Sequence, residues 1–333
     1  MILTDMRRVF LLALVLLAAA FTASIASYAQ DYPKAGITNG VIKAGLYLPD
    51  AEKGSYRATR FDWSGVIYSL QYKGHEYYGQ WYAKHDPLVN DAITGPVESF
   101  DTNGAGLGYA EAKPDGGFIR IGVGLLEKPE ERAFAAFRTY KILDSGKWTT
   151  KTGKNWIEFT QRLPDKIGYG YVYTKRISLS RGKPEMIISH SLKNTGAKLI
   201  ETTQFNHNFP MIDGLPTGPG LLLRFPFDVR AVNSLNGLAE VRGHELAFVK
   251  EITGRPSVYS PLEGFGPTAK DYDITIENRN AGAGVRITSD RPLAKLIVWA
   301  IRTTACPEPY IQLRIEPGRT EKWWTRYEFY TLK

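Results

Sequence analysis

From Phe118 onward the chain is cut into short runs of β-branched and aromatic residues, bounded by glycine, proline, asparagine and aspartate. The clearest cover residues 118–123, 168–180, 186–192, 199–209, 221–227, 272–276, 293–301, 311–315 and 322–330. Runs this short and this closely spaced fit strands joined by turns and leave little room for amphipathic helices. Over this length a spacing of about 8 to 12 residues implies about 25 strands, which is a large antiparallel β-sandwich and not a small barrel. The last run alternates cleanly: Trp323, Thr325, Tyr327 and Phe329 share one face, while Trp324, Arg326, Glu328 and Tyr330 share the other. Pro317 and Gly318 supply the turn before it. The best helical stretch, residues 128–137, is short. The expected class is therefore all-β. With 7 Trp, 19 Tyr and 15 Phe and 43% hydrophobic residues, the composition also excludes a disordered or collagen-like chain.

Residues 1–29 read as a secretory leader. Arg7 and Arg8 precede an apolar run over residues 9–21, and small residues follow through Ala29, where cleavage is expected. The run is shorter than the roughly 20 residues that cross a bilayer, so no stable membrane span is expected after cleavage. The destination would be periplasmic or extracellular. No repeat, low-complexity block or linker divides residues 31–333, so 30–333 are expected to form one domain. Cys306 is the only cysteine, so no intramolecular disulfide can form and stability must come from packing. Without the leader the formal charge is +7, which in an exported protein suits an acidic glycan better than nucleic acid, although a generally basic surface is an equal reading.

Several chemistries find no support. The glycines at 104, 106 and 108 have no strand before them and no helix after, so they read as turn residues and not as a dinucleotide loop. There is no G-x-S-x-G elbow, no H-E-x-x-H helix, and no metal-ligand spacing among the histidines at 75, 85, 190, 207 and 244. Neither a metal nor an organic cofactor is expected. Cys306, followed by Pro307, reads as a small buried thiol.

Two segments carry more. In residues 201–210, an extended backbone puts His207 on one face with Phe205 and Phe209, and Asn206 and Asn208 on the other. A histidine between aromatic rings is desolvated, which lowers its pKa. It can equally be a hydrogen-bonded core histidine. In Cys306-Pro307-Glu308-Pro309-Tyr310, two prolines remove backbone donors, so the segment is not expected in the middle of a central strand. The same prolines confine Glu308 to an extended conformation, which would hold its carboxylate rigidly. A solvated glutamate in a rigid loop is the competing reading.

Together these segments resemble the galactose mutarotase-like (aldose 1-epimerase) superfamily over nearly the whole chain after the leader. Residues 60–70 and 74–77 resemble its opening hairpin, 206–209 the strand with its histidine acid, and 306–309 the segment with its glutamate base. The resemblance implies a galactose mutarotase-like supersandwich. It also implies an aldose 1-epimerase in which Glu308 takes the anomeric proton and His207 protonates the ring oxygen, so that the ring opens and recloses from the other face. Asn206, Asp273 (or Asp271), Arg60, Glu98 and Trp299 are the expected sugar contacts, converging in one cleft with Arg60 and Glu98 at its rim. The partner would be a mono- or oligosaccharide. One departure stands out: where the family carries a second histidine in a His-Gly motif, this chain reads Gly95-Pro96-Val97-Glu98. A non-catalytic glycan-binding protein and a polysaccharide lyase or hydrolase on a related sandwich remain alternatives.

Overall fold

The computed structural model describes residues 31–102 and 104–333, so the leader segment and the cleavage expected after Ala29 lie outside the described residues. Residues Pro33–Lys333 form one compact unit. In chain order the strands are β1 (Lys34–Thr38), β2 (Lys43–Tyr47), β3 (Val66–Tyr72), β4 (His75–Glu76), β5 (Val97–Asp101), β6 (Gly117–Arg120), β7 (Gly124–Glu127) and β8 (Ile142–Asp144). Next come β9 (Lys147–Thr152), β10 (Trp156–Leu163), β11 (Tyr171–Leu179), β12 (Glu185–Asn194), β13 (Ile200–His207), β14 (Leu221–Arg224), β15 (Arg230–Ala231) and β16 (Ala239–Arg242). The series closes with β17 (Glu245–Phe248), β18 (Val258–Glu263), β19 (Asp273–Asn278), β20 (Ala283–Ser289), β21 (Lys295–Ile301), β22 (Thr304–Ile315) and β23 (Thr320–Thr331). Two single 3-10 turns are the only helical elements among the described residues. Residues 128–137, the best helical candidate in the sequence, are turns and loop. Their apolar members Phe134 and Phe137 are drawn to rings and cations elsewhere, Tyr140 and Arg60, and not to one helical face.

All strand pairs are antiparallel. A ten-stranded sheet runs β16-β17-β14-β19-β20-β23-β12-β11-β10-β9 and a six-stranded sheet runs β15-β18-β21-β22-β13-β5, with smaller sheets of four and three strands beside them. Alternation decides which residues fill the space between the two large sheets. On β11, Tyr171, Tyr173, Lys175, Ile177 and Leu179 are buried while the residues between them are not. On β23 the inward set is Trp323, Thr325, Tyr327 and Phe329, as the sequence pattern predicts. Cross-sheet contacts include Phe100 on β5, edge-on to Tyr173 at 5.5 Å and to Trp323 at 6.3 Å. Among the described residues no helix is long and apolar enough to cross a membrane.

The prolines of β22 overturn one expectation. Pro307 and Pro309 sit inside a twelve-residue strand with neighbours on both sides, Pro307 opposite Val298 and Pro309 opposite Leu296 of β21. The strand tolerates them because its pairing with β13 stops at Tyr310, opposite Phe205. Backbone N and C=O of one residue point to the same side of a strand. The Pro307 carbonyl accepts from Asn208 Nδ2 at 2.8 Å, just beyond the end of β13, so the missing donors of Pro307 and Pro309 face a stretch where no ladder needs them.

Candidate active site

Strand register brings together the two segments that stood out in the sequence. β13 and β22 pair Phe205 with Tyr310, and continuing that register sets His207 opposite Glu308. On β13 the residues Thr202, Gln204 and Asn206 face the core, so His207 and Phe205 lie on the outward face of the six-stranded sheet with Glu308 and Trp299. His207 Nε2 and Glu308 Oε1 are 3.2 Å apart. Phe209 stacks on the imidazole with ring centroids 3.6 Å apart, and Trp81 stacks on Phe209 at 4.7 Å. Trp299 and Phe61 meet His207 edge-on at 5.3 and 5.8 Å. Phe209 achieves this with φ +41°, a conformation bulky residues rarely adopt. Its N–H donates to Cys306 Sγ at 3.0 Å, which helps to hold it there. Cys306 is the buried thiol expected.

This apolar cage sets the protonation of the pair. His207 and Glu308 side chains are 4% and 8% exposed. Were both ionised they would form a salt bridge, but the surroundings favour the uncharged forms. Burial, aided by the Arg60 charge, holds His207 well below the usual imidazole range. Burial raises Glu308 from 4.5 to about 7, against the pull of Arg60 and Lys295. Below about pH 7 the pair thus holds one proton, and at rest it sits on the carboxyl group. The base role that the resemblance implies for Glu308 needs that proton to cross to His207 Nε2. The other imidazole nitrogen, Nδ1, is buried with no hydrogen-bond partner within the protein.

The other expected contacts divide. Trp299 lies against His207, as above. Arg60 pairs with Asp91 and its guanidinium lies 4.8 Å from the Phe61 ring centroid and 4.9 Å from that of Phe137, beside the cage. Asn206 is not on this face: it points between the sheets, where its amide donates to the Tyr327 hydroxyl at 3.1 Å. The period of two along a strand separates it from its neighbour His207. Asp273 is on β19 of the ten-stranded sheet, bonded to Arg286 at 2.6 and 2.8 Å, with Ile274 beside it turned into the core. Asp273 therefore faces away from both the core and the six-stranded sheet. Asp271 accepts from Gly266 N–H at 3.1 Å in the turn before β19.

Glu98 is fully buried, in place of the rim position expected, because β5 turns it inward beside Phe100. It pairs with Lys175 of β11 and lies 3.3 Å from His190 Nε2 of β12. Lys175 Nζ also donates to the Ser64 carbonyl at 2.7 Å and approaches Asp62 at 3.4 Å, while Tyr173 donates to Asp62 at 2.9 Å. Burial opposes ionisation of Glu98, but Lys175 and His190 overcome it and lower its pKa. Burial and then the charge of Glu98 raise Asp62 against the pull of Lys175. Lys175 is held above its usual range because the two carboxyl groups outweigh its own desolvation. This charged core was missed in sequence, although Lys175 falls on the apolar face of the alternating run 171–179.

Next to the His207–Glu308 pair, a cleft of about 880 Å³ opens between the outward faces of β13 and β22 and the loop around residues 104–111. His207 and Glu308 do not themselves line it; Tyr310, two residues along β22 from Glu308, does, together with Lys295. Among the described residues no group of three or more His, Cys, Asp or Glu is placed to hold a metal.

No family model matches the sequence, and no curated protein is significantly similar to it. Solved structures do match the fold. A protein from Synechocystis sp. PCC 6803 aligns with a TM-score of 0.57 at 12% identity, over 92% of this chain and 98% of its own. A galactose mutarotase-like protein from Clostridium acetobutylicum aligns at 0.52 and 12%, over 91% and 100%. One of the same description from Lactobacillus casei ATCC 334 aligns at 0.51 and 12%, over 89% and 100%. The fold is that of the galactose mutarotase-like proteins, with a sequence far diverged from these examples.

Proposed function

We propose that this protein is a carbohydrate-acting enzyme of aldose 1-epimerase type, which interconverts sugar anomers by acid/base ring opening at His207 and Glu308. The observation that carries the reading is the contact between a desolvated imidazole and a desolvated carboxyl group, 3.2 Å apart on one sheet face. Opening a cyclic sugar needs one group to take the anomeric hydroxyl proton and another to give a proton to the ring oxygen, and these two oxygens share a carbon. Adjacent groups holding one proton between them suit that demand, and each can contribute roughly 10²- to 10⁴-fold. With the proton on His207, Glu308 acts as base and the imidazole as acid; on closure the two exchange roles. The unpartnered Nδ1 of His207 is a further polar group for a sugar oxygen to satisfy. Arg60 and Trp299 border the pair and are the proposed rim contacts.

The leader pattern in residues 1–29 supports export to the periplasm or beyond. Sequencing the N-terminus of the exported protein should begin near Gln30; an intact Met1 on cytoplasmic protein would refute export. For the activity, the test is anomer exchange measured by NMR across a panel of free sugars. Catalysed exchange of at least one sugar is expected. Binding without exchange would replace the epimerase reading by that of a glycan-binding protein, in line with the absent His-Gly motif.

A further inference from the structure

We propose that the cleft beside the His207–Glu308 pair is an extended site for a neutral oligosaccharide, with its reducing end at Tyr310, next to the pair, and the following rings along β22 toward Gln312. The inference rests on the reading of the pair as the ring-opening site and adds the class of substrate. Position is the first argument. Glu308, Tyr310 and Gln312 are successive outward residues of β22, and at about 3.4 Å per residue Gln312 lies about 14 Å along the strand from Glu308. That span exceeds one sugar ring. Tyr310 is shared: its hydroxyl helps to stabilise the ionised Glu308, and its side chain lines the cleft.

Size points the same way. A volume of about 880 Å³ lies near the top of the range for ligand sites, roughly 300–1,000 Å³, and a single monosaccharide would leave most of it to water. Charge then selects the kind of glycan. The protein as a whole is basic, at +8, yet the cleft carries Asp101, Glu111 and Glu201 against Lys198 and Lys295. Lys198 is already bound to Glu111 at 2.5 Å, and Lys295 lies over the Tyr310 ring at 4.7 Å. Glu201 has Arg314 at 3.6 Å, so the charges around the cleft nearly cancel and a uronate chain would find no excess of cations here. The oxygens of the Gln312 amide and the Thr203 hydroxyl, whose donors already serve backbone carbonyls, can accept from the hydroxyl groups of a neutral sugar.

The test is calorimetric titration of the wild-type protein with glucose, maltotriose, cellotriose, laminaritriose and trigalacturonate, repeated on Thr203→Trp, which fills the cleft, and on Gln312→Ala. At least one neutral trisaccharide should bind tenfold or more tightly than glucose. Thr203→Trp should abolish that ratio and Gln312→Ala should reduce it. The inference is overturned if no neutral trisaccharide exceeds glucose, if trigalacturonate binds best, or if both variants keep the full ratio. Anomer exchange of glucose without any trisaccharide preference would remove the extended site and leave the epimerase. Trisaccharide preference without exchange of any sugar would do the reverse.

Discussion

The chemistry of Glu308 follows from where its proton resides. In the unfolded chain the carboxyl group titrates near 4.5, and in the folded cage near 7, so the native state binds this proton more tightly. Its contribution to stability is therefore complete below about pH 4.5 and is lost as pH rises through about 7. Wild-type protein should lose more melting temperature between about pH 5 and about pH 8 than Glu308→Gln does, by an amount reflecting at most a few kcal/mol. Equal losses in thermal melts at the two pH values would show that the carboxyl group is not desolvated. The same titration governs turnover. Ring opening needs one proton on the pair, so kcat/KM should fall as pH rises through about 7, and a profile still climbing there would contradict the shared proton. At this scale the sequence was legible where desolvation is local: Phe205 and Phe209 flank His207 in sequence, and Phe209 does cover it. Contacts set by distant strands were not. Nothing near Glu98 in sequence announces Lys175 or His190, which lie 77 and 92 residues away.

Among the elements, β22 shows how a rule about one residue can yield to its surroundings. Proline excludes itself from a central strand only where a neighbour needs its N–H, and beyond Tyr310 the β13 ladder has ended. Asn208 closes that gap. Its amide donates to the Pro307 carbonyl at 2.8 Å and its oxygen accepts from the Tyr327 hydroxyl at 3.0 Å, so one buried side chain ties the six-stranded sheet to the ten-stranded one. Asn208→Ala leaves the Pro307 carbonyl without this donor and the Tyr327 hydroxyl, which still accepts from Asn206, without its acceptor, and should lower the unfolding free energy by about 1–3 kcal/mol in urea titrations; no change would mean that water replaces the amide. Alternation told which residues share a face, but not which face is the core. That is why Asn206 looked like a neighbour of the site when its side chain points between the sheets.

Across the whole molecule, the all-β class and the sandwich were legible because turn residues and alternation recur along the length of the chain. The pairing of strands far apart in sequence, such as β13 with both β5 and β22, is a property of topology that no local pattern encodes. The buried network of Asp62, Glu98, Lys175 and His190 belongs to this scale, since it joins the loop before β3, both large sheets and the core between them. Lys175→Met strips the cation from two buried carboxyl groups and should cost about 3–5 kcal/mol in equilibrium unfolding; a variant as stable as wild type would show that no buried carboxylate there depends on Lys175 for its charge. The outward face of the six-stranded sheet then remains as the place for chemistry. The most direct measurement is NMR anomer exchange by Glu308→Gln beside wild type, on a sugar the wild type turns over. A fall of about 10²-fold or more with sugar binding largely retained is the predicted result, and full exchange by the variant would contradict the assignment of Glu308 and His207 as the reacting pair.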